Sequence, residues 1–126
     1  DCDVIQADAG TRTAAITGAW LALHKACTQL HQKGLCDRYP LKEQVAAVSV
    51  GLIEGVPLLD LNYNEDSRAD VDLNVVMDSK GHFLEVQGNA EGSPFSREQL
   101  NSLLDLAELG LNQIHRAQRL VLGLKD

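Results

Sequence analysis

Two short segments of the sequence contain residue types that could do chemistry. The first is "DAGTRT" at positions 8–13, which follows an apolar run and precedes a helical pattern. The first N–H groups of a helix have no intrahelical partner and lie at the positive end of its dipole, so anions bind there. Two interpretations are open from these residues alone. Thr11 or Thr13 caps the helix, or the turn binds an anion and the Arg12 guanidinium contacts two phosphate oxygens.

The second segment is the acidic run "NEDSRADVD" at positions 64–72. Asp70 and Asp72 share one face of a predicted strand, and Asp66 lies in the segment before it. Like charges this close repel one another, so the grouping is favourable where a cation or a donor-rich ligand lies between them. The alternative is a solvated strand edge whose negative charge discourages aggregation.

Other catalytic patterns are absent from the sequence. There is no G-x-S-x-G elbow, no cysteine with a recognisable base partner and no G-x-x-x-x-G-K-[ST] loop, which argues against a nucleophilic triad and a Walker-type phosphate loop. In "EVQGNAEG" at positions 85–92, Gly88 and Gly92 bracket a polar turn. In isolation this turn is interpreted as a simple connection between elements.

Composition limits the class of protein. A chain of 126 residues that is 44% hydrophobic is long enough for one globular core, and no apolar run is long enough to cross a bilayer, so a soluble, non-membrane protein is expected. No leader pattern is found at the start, and the sequence could be a fragment. The net charge of −7 argues against binding nucleic acid by bulk electrostatics, although a few phosphates could still be held locally.

Cysteines and histidines give no metal or disulfide signal. The three cysteines form no C-x-x-C pair, which indicates neither a disulfide framework nor a zinc ribbon and fits a reducing cytoplasm. The four histidines are scattered, and we expect them at the surface without a chemical role: His24, His31, His82 and His115.

Hydrophobic periodicity predicts the first elements. Residues 2–7, "CDVIQA", are predicted as a strand, and a helix is predicted from Thr13 to the left-handed cap at Gly34. Its apolar stripe consists of Ile16, Trp20, Leu23, Cys27 and Leu30. A second stripe of small residues should let the helix approach a sheet closely: Ala15, Ala19, Ala22 and Ala26.

The remaining pattern predicts strands followed by a helix. Residues 45–55 and 56–63 form a predicted hairpin through Gly55, and residues 70–78 and 82–90 form a second antiparallel pair. Ser96 begins a helix with Gln99 as its capping-box partner, and its buried stripe is predicted to be Leu100, Leu103, Ala107, Ile114, Ala117 and Val121. The order β-α-β-β-β-β-α indicates an α+β layered domain.

Three segments together resemble a known family. "CDVIQADAGTRTAAITGA", "VAAVSVG" with "DLNYNEDSRADVDLNVVM", and "EVQGNAEGSPFSREQL" are similar in order and spacing to the C-terminal half of the ribonuclease PH family. The resemblance covers nearly the whole chain and weakens at residues 24–40 and after Ile114.

The resemblance implies a fold like the second domain of ribosomal protein S5, in which residues 1–126 are the C-terminal half of one ribonuclease PH domain without the N-terminal half. It also implies a phosphate-dependent 3′→5′ exoribonuclease that trims transfer RNA 3′ ends and acts on other RNA. Inorganic phosphate attacks the last phosphodiester and releases a nucleoside diphosphate. The family forms homo-oligomers, hexameric rings built as trimers of dimers.

Site residues follow from the same resemblance. The phosphate-binding motif falls on Gly10, Thr11 and Arg12, and the carboxylates associated with acid catalysis and Mg²⁺ binding fall on Asp66 and Asp72. The alternative is a non-catalytic ring subunit or RNA-binding platform of an exosome-like assembly, since inactive relatives occur in such rings.

Four positions depart from the family pattern: Ala9 replaces a common glycine, Asp70 a glutamate, Leu73 a methionine and Asn89 a threonine. Ala9 matters if the turn requires a positive φ, which alanine adopts only at a cost in free energy.

Overall fold

The computed structural model describes residues 1–124, which form one antiparallel sheet and three helices. The sheet order is β2-β1-β3-β4, so the α+β class predicted from sequence is confirmed. In chain order the elements are α1 (Thr11–Gln32), β1 (Val45–Ile53), β2 (Val56–Leu59), α2 (Tyr63–Asp66), β3 (Val71–Asp78), β4 (Phe83–Ala90) and α3 (Arg97–Leu122).

Local turn and cap chemistry explains several boundaries. Glu54 and Gly55 join β1 to β2 with φ of 52° and 77°, and two positive φ values give the turn twist that suits a two-residue hairpin. Ser96 accepts a hydrogen bond from the Gln99 N–H while the Gln99 side chain accepts from the Ser96 N–H. Gly34, at φ +68°, follows the end of α1. These predicted signals are confirmed.

The two faces of the sheet differ in polarity. One face packs on α3 and forms the core, which consists of Ala46, Val48, Val50, Leu52, Val71, Leu73, Val75, Met77, Leu103, Ala107 and Leu111. The residues between them in β1 and β3 point to the opposite face, where the first turn of α1 lies near Ser49. Polar side chains therefore collect on the α1 side of the sheet.

The outer edge of β1 is only partly covered, because β2 pairs with just the last four residues of β1. The outward-facing backbone groups of the preceding, buried residues need other hydrogen-bond partners. The Thr17 hydroxyl donates to the Ala47 carbonyl (3.3 Å) and accepts from the Ala47 N–H (3.1 Å). The Asp60 N–H donates to the Ser49 carbonyl at 2.8 Å. These bonds attach α1 to the middle of β1.

Gln118 of α3 satisfies the same edge further along. Its Nε2 donates to the carbonyls of Val45 (3.0 Å) and Thr17 (3.1 Å), and its Oε1 accepts from Gln44 Nε2 at 2.7 Å. Gln118 is only 2% exposed. Because a buried amide needs its hydrogen bonds, this side chain joins α1, β1 and α3.

The predicted first strand is wrong. Residues 2–7 are irregular, and the side chains of Val4 and Ile5 are 62% and 98% exposed. A strand exists only through hydrogen bonds to a neighbouring strand, and within residues 1–124 no strand pairs with this segment. Its apolar residues therefore do not contribute to the core.

The predicted faces of α1 are partly wrong. The helix begins at Thr11 rather than Thr13, and its buried residues are Thr13 and Cys27, whereas Leu23 and Leu30 are about half exposed. Most of the alanine stripe is also exposed: Ala19, Ala22 and Ala26. Polar residues are responsible, because the Thr17 hydroxyl bonds to Ala47 and rotates the contact face away from the leucines.

A similar rotation occurs in α3. Ala117 and Val121 are exposed, whereas His115 and Gln118 are buried. The prediction that all four histidines lie at the surface is therefore wrong for His115, which is 2% exposed. The Val45 carbonyl at the buried edge of β1 needs a hydrogen-bond donor, which Gln118 supplies. The buried face of α3 therefore contains Gln118 instead of the predicted Ala117.

Two details near the acidic segment were not expected. A short helix, α2, begins after Asn62 with a capping box to Glu65 and ends at Asp66. Gly88 lies inside β4, and only Gly92 belongs to the turn that follows. The two glycines therefore do not bracket a turn as predicted.

Among residues 1–124, neither long helix is apolar enough to be a candidate membrane span.

We expect Gly88→Ala to lower the free energy of unfolding by about 1–3 kcal/mol through overpacking. A Cβ at Gly88 would lie 2.1 Å from the Asp72 carbonyl oxygen and 2.8 Å from Leu73 Cα, both of which are backbone atoms. The matched control is Gly18→Ala in α1, where the added Cβ meets open space and stability should rise by about 0.5–1 kcal/mol. Urea unfolding of both variants measures the difference, and equal effects would contradict the close approach of β4 to β3.

Burial lowers the pKa of His115 below its ordinary 6.5, and Arg119 lowers it further, against the raising effects of the Met77 backbone and Asp78. As the pH falls, His115 therefore becomes protonated near pH 6.5 in the unfolded chain, whereas in the folded chain it stays neutral to a lower pH. We expect the free energy of unfolding to fall as the pH drops through 6.5, until the folded histidine is itself protonated. His115→Gln should reduce this slope and the exposed His31→Gln should not, as measured by urea unfolding from pH 8 to 5. An unchanged slope in His115→Gln would show that another group is responsible.

Candidate active site

One small cavity is lined by all five site residues that the family resemblance implied: Gly10, Thr11, Arg12, Asp66 and Asp72. It has a volume of about 160 Å³ and lies between the first turn of α1, the end of α2 and the polar face of the sheet. Its lining consists of Gly10, Thr11, Arg12, Ser49, Asp66, Asp72 and Asn74. The "DAGTRT" turn and the acidic segment, about 55 residues apart in sequence, thus face one space.

The register of the sheet explains the floor of this cavity. Ser49 pairs with Asn74, and Gly51 pairs with Asp72, so alternate residues of β1 and β3 point to the same side. Gly51 allows a close approach, because a Cβ there would lie 2.6 Å from both the Leu61 side chain and the Val71 carbonyl oxygen. On this side β1 and β3 form the polar floor of the cavity, and on the other side the same two strands form the apolar core.

Asp8 holds the two walls together. Its Oδ1 accepts a hydrogen bond from the N–H of Tyr63, the first residue of α2, at 3.1 Å. The acid at the start of "DAGTRT" therefore fixes the short helix that carries Asp66 beside the turn that carries Arg12.

The turn before α1 has an unusual backbone. Ala9 and Gly10 have φ of 91° and 62°. A non-glycine residue with positive φ costs about 1–3 kcal/mol, so the concern about alanine at this position is confirmed. The strain bends the chain so that the first turn of α1 faces the floor of the cavity.

Neither threonine caps α1. Gly10 occupies the N-cap position with no side-chain cap, and the Thr13 hydroxyl instead donates to the Gly10 carbonyl at 2.9 Å. The capping interpretation of Thr11 or Thr13 is therefore wrong. Among the described residues no side chain caps the N–H groups of the first turn, so these groups can donate to an anion in the cavity.

Arg12 is already engaged by a carboxylate. Its Nη2 lies 2.8 Å from Oε1 and 3.0 Å from Oε2 of Glu85 on β4. No local pattern in the sequence predicts this pair, because 73 residues separate the two side chains. Arg12 still lines the cavity, so the ion pair holds it at the cavity mouth.

Two buried polar atoms on the cavity floor have no hydrogen-bond partner within residues 1–124: Ser49 Oγ and Asp72 Oδ1. An unpartnered buried polar atom costs about 1–3 kcal/mol, and such atoms are unusual in folded proteins. Ser49 was not singled out from the sequence, although a serine in the middle of a buried apolar strand is a signal that could have identified it. Both residues line the cavity, so these oxygens are candidates to bond to a ligand there.

The electrostatics of the acidic residues differ from one another. Burial raises the pKa of Asp72, and the negative charges of Asp66 and Glu91 raise it further. Asp70 does not line the cavity. It accepts from the Glu54 N–H at 3.1 Å and its carbonyl accepts from the N–H groups of Glu91 and Gly92, so it fixes the loops beside the site.

Asp66 and Asp72, the two carboxylates that line the cavity, are suited to bind a divalent cation. Within residues 1–124, no group of three or more His, Cys, Asp or Glu side chains is placed to hold a metal, so a cation would depend on Asp66 and Asp72 alone. Mg²⁺ is commonly bound by one or two carboxylates together with water and substrate phosphates. The unpartnered Asp72 Oδ1 is an oxygen ligand of the required kind.

We expect Asp72→Asn to raise the free energy of unfolding and the melting temperature by a few degrees at neutral pH. A folded pKa above the ordinary 3.8 means that the ionised form is disfavoured by folding, so the neutral isostere removes a penalty that is present above the folded pKa. The gain should disappear as the pH falls toward 3.8. Thermal unfolding at several pH values checks this, with the exposed Asp105→Asn as control. A lower melting temperature of Asp72→Asn at neutral pH would contradict the raised pKa of Asp72 in the folded chain.

Comparison with curated proteins gives close relatives. The chain is 67% identical over 126 residues, its whole length, to Ribonuclease PH of Prochlorococcus marinus (strain MIT 9313). It is 67% identical over 119 residues, 94% of its length, to Ribonuclease PH of Synechococcus sp. (strain CC9605). It covers 52% and 48% of these proteins, so the chain spans about half the length of the curated relatives it matches.

Solved structures show the same fold. Rice (Oryza sativa) Rrp46 matches with a TM-score of 0.73 and 20% identity over 95% of this chain and 51% of that chain. An archaeal exosome core matches with a TM-score of 0.56 and 18% identity over 64% of this chain and 32% of that chain. At these identities the likeness concerns the fold alone.

The family model for the 3′ exoribonuclease family, domain 2, matches residues 43–109. This match covers β1 to the first half of α3, including both carboxylates of the cavity. Since it extends over more than half of the sequence, the chain belongs to the 3′ exoribonuclease family.

Proposed function

We propose that the complete protein carrying this chain is a phosphate-dependent 3′→5′ exoribonuclease that trims transfer RNA 3′ ends and releases nucleoside diphosphates. The observation that carries the proposal is the shared cavity, in which an uncapped helix N-terminus and Arg12 face two carboxylates. The relatives named Ribonuclease PH support it. In this proposal the chain supplies the phosphate turn and the acidic pair.

The attacking phosphate would bind at the first turn of α1. The N–H groups there, the Thr11 hydroxyl and the Arg12 guanidinium supply donors to its oxygens. Gly10 lets the backbone approach, because its φ of 62° favours glycine. Ser49 Oγ, which has no partner within the described residues, supplies a further donor from the floor. This set leaves the phosphate held on two sides.

The reaction would need no covalent intermediate on the protein. A phosphate oxygen attacks the phosphorus of the last phosphodiester, the bond from that phosphorus to the 3′ oxygen breaks, and the 3′ oxygen leaves with a proton as a hydroxyl. Phosphoryl transfer of this kind depends on positioning and charge stabilisation. The absence of a nucleophilic motif in the sequence is consistent with it.

Asp72 is suited to donate a proton, and Asp66 is suited to bind a cation. Because burial and neighbouring charge raise the pKa of Asp72, this carboxyl keeps a proton to higher pH than an exposed aspartate and can give it to the leaving oxygen. The metal role belongs to the ionised form of Asp72, which together with Asp66 would hold Mg²⁺, whose chemistry when bound is to offset negative charge on the phosphate and leaving oxygens.

RNA contacts would depend on more than this chain. A net charge of −7 disfavours binding along the backbone by bulk electrostatics, so the 3′ end would be held at a few local points. The half of the relatives' length that lies outside this chain, and neighbouring subunits of a homo-oligomeric hexameric ring in the cytoplasm, would supply the remaining contacts. A non-catalytic ring subunit would need the same fold but not the carboxylates and Arg12 in one cavity.

The test uses the complete gene product and a transfer RNA with a 3′ extension. Nucleoside diphosphates should form only when phosphate and magnesium are both supplied. We expect Arg12→Ala to lower activity by about 10²–10³-fold, the effect of removing one donor to transition-state charge, and to raise the KM for phosphate while RNA binding stays within about twofold. Product chromatography and a phosphate titration measure both effects.

The exposed Arg116→Ala on α3 is the matched control and should retain activity. Release of nucleoside monophosphates with water alone would contradict phosphorolysis. Binding of RNA with no phosphorolysis by the complete protein would favour the non-catalytic ring subunit.

A further inference from the structure

The contact between Arg12 and Glu85 uses only part of the guanidinium. Both Glu85 oxygens lie near the same nitrogen, Nη2, at 2.8 and 3.0 Å. Within residues 1–124 no other acceptor contacts this guanidinium. An arginine has five N–H donors in a rigid fork, so Nε and Nη1 stay available while Nη2 is held.

The position of Glu85 in β4 is distinctive. Of the eight residues in this strand, Glu85 is half-buried and the other seven are exposed. It pairs with Val76 in the ladder that also pairs Asn74 with Gln87, so it lies on the same face as the cavity floor. Its carboxylate reaches across this face to the first turn of α1.

An arginine without a partner would bind phosphate less well. Arg12 has a half-exposed side chain, and a long exposed side chain samples many rotamers that must be given up on binding. A partner that orders the guanidinium beforehand removes much of this loss. Glu85 also has an opposite effect, because its negative charge repels an incoming anion.

We propose that Glu85 is a positioning residue for Arg12, holding Nη2 from the β4 side so that Nε and Nη1 face an anion in the cavity. The role rests on the proposed function, in which that anion is phosphate. Positioning requires a hydrogen-bond acceptor at residue 85, whereas simple competition for Arg12 requires only the negative charge. The two roles therefore predict opposite effects of removing the side chain.

The experiment is a titration of the 126-residue chain with inorganic phosphate at constant ionic strength, followed by the backbone amide signals of Thr11 and Arg12. Glu85→Ala should weaken phosphate binding by about three- to tenfold, the effect of ordering one long side chain. Glu85→Gln keeps an acceptor and should stay within about twofold of the wild type. Glu85→Thr, which suits a strand, should weaken phosphate binding as much as Glu85→Ala does, whereas wild-type binding by Glu85→Thr would show that Glu85→Ala acts by weakening β4. Glu108→Ala, an exposed change on α3, is the control and should have no effect.

A second measurement reports the arginine itself. Without phosphate, the heteronuclear NOE of the Arg12 Nε–Hε group should be high in the wild type and Glu85→Gln and low in Glu85→Ala. Phosphate binding by Glu85→Ala that equals or exceeds the wild type, or an unchanged Arg12 NOE, would overturn the positioning role. If the wild type shows no phosphate-dependent shift at Thr11 or Arg12, the proposed function fails, while the NOE comparison still decides whether Glu85 positions Arg12.

Discussion

The outer edge of β1 has backbone groups that pair with no strand among residues 1–124, and they must find hydrogen bonds elsewhere. Thr17 satisfies Ala47, Gln118 satisfies Val45, and the Asp60 N–H satisfies the Ser49 carbonyl. These bonds attach α1 and α3 to β1 and fix the position of each helix along that strand. The N-terminus of α1 then lies over Ser49, nearly two turns before the Thr17 anchor, which places the N–H groups of its first turn above the polar face of the sheet.

The cavity combines features that each cost stability. Ala9 has a positive φ, Ser49 Oγ and Asp72 Oδ1 are buried without partners within the described residues, and Asp72 carries a raised pKa beside other acids. Such strain persists only where the surrounding structure determines it, and here the apolar face under α3 supplies that support. Concentration of several unfavourable features in one small space is typical of a functional site rather than of a solvated strand edge.

Much of the fold could be predicted because its signals are local. The period-2 alternation of residues 70–78, the positive-φ turn at Gly55 and the capping box at Ser96 each need only a few neighbouring residues. Several of the wrong predictions depend on distant partners. Residues 2–7 lack a neighbouring strand among the described residues, and the face of α1 is set by a threonine that bonds to β1. Gln118 is buried because its side chain donates to the Val45 carbonyl of β1. The residue pattern of α3 alone does not reveal this hydrogen bond. Likewise, the sequence indicated Arg12 and the acids but not Glu85, whose role depends on the β3–β4 register.

The proposed function requires that the cavity between the first turn of α1 and the floor of β1 and β3 binds phosphate. A crystal structure of the chain with arsenate, a phosphate analogue whose arsenic scatters anomalously, is the decisive measurement. We expect one anomalous peak in this cavity, with the arsenate oxygens within hydrogen-bond distance of the Thr11 and Arg12 N–H groups and Ser49 Oγ. A peak elsewhere with this cavity empty at saturating arsenate would contradict phosphate binding at this site.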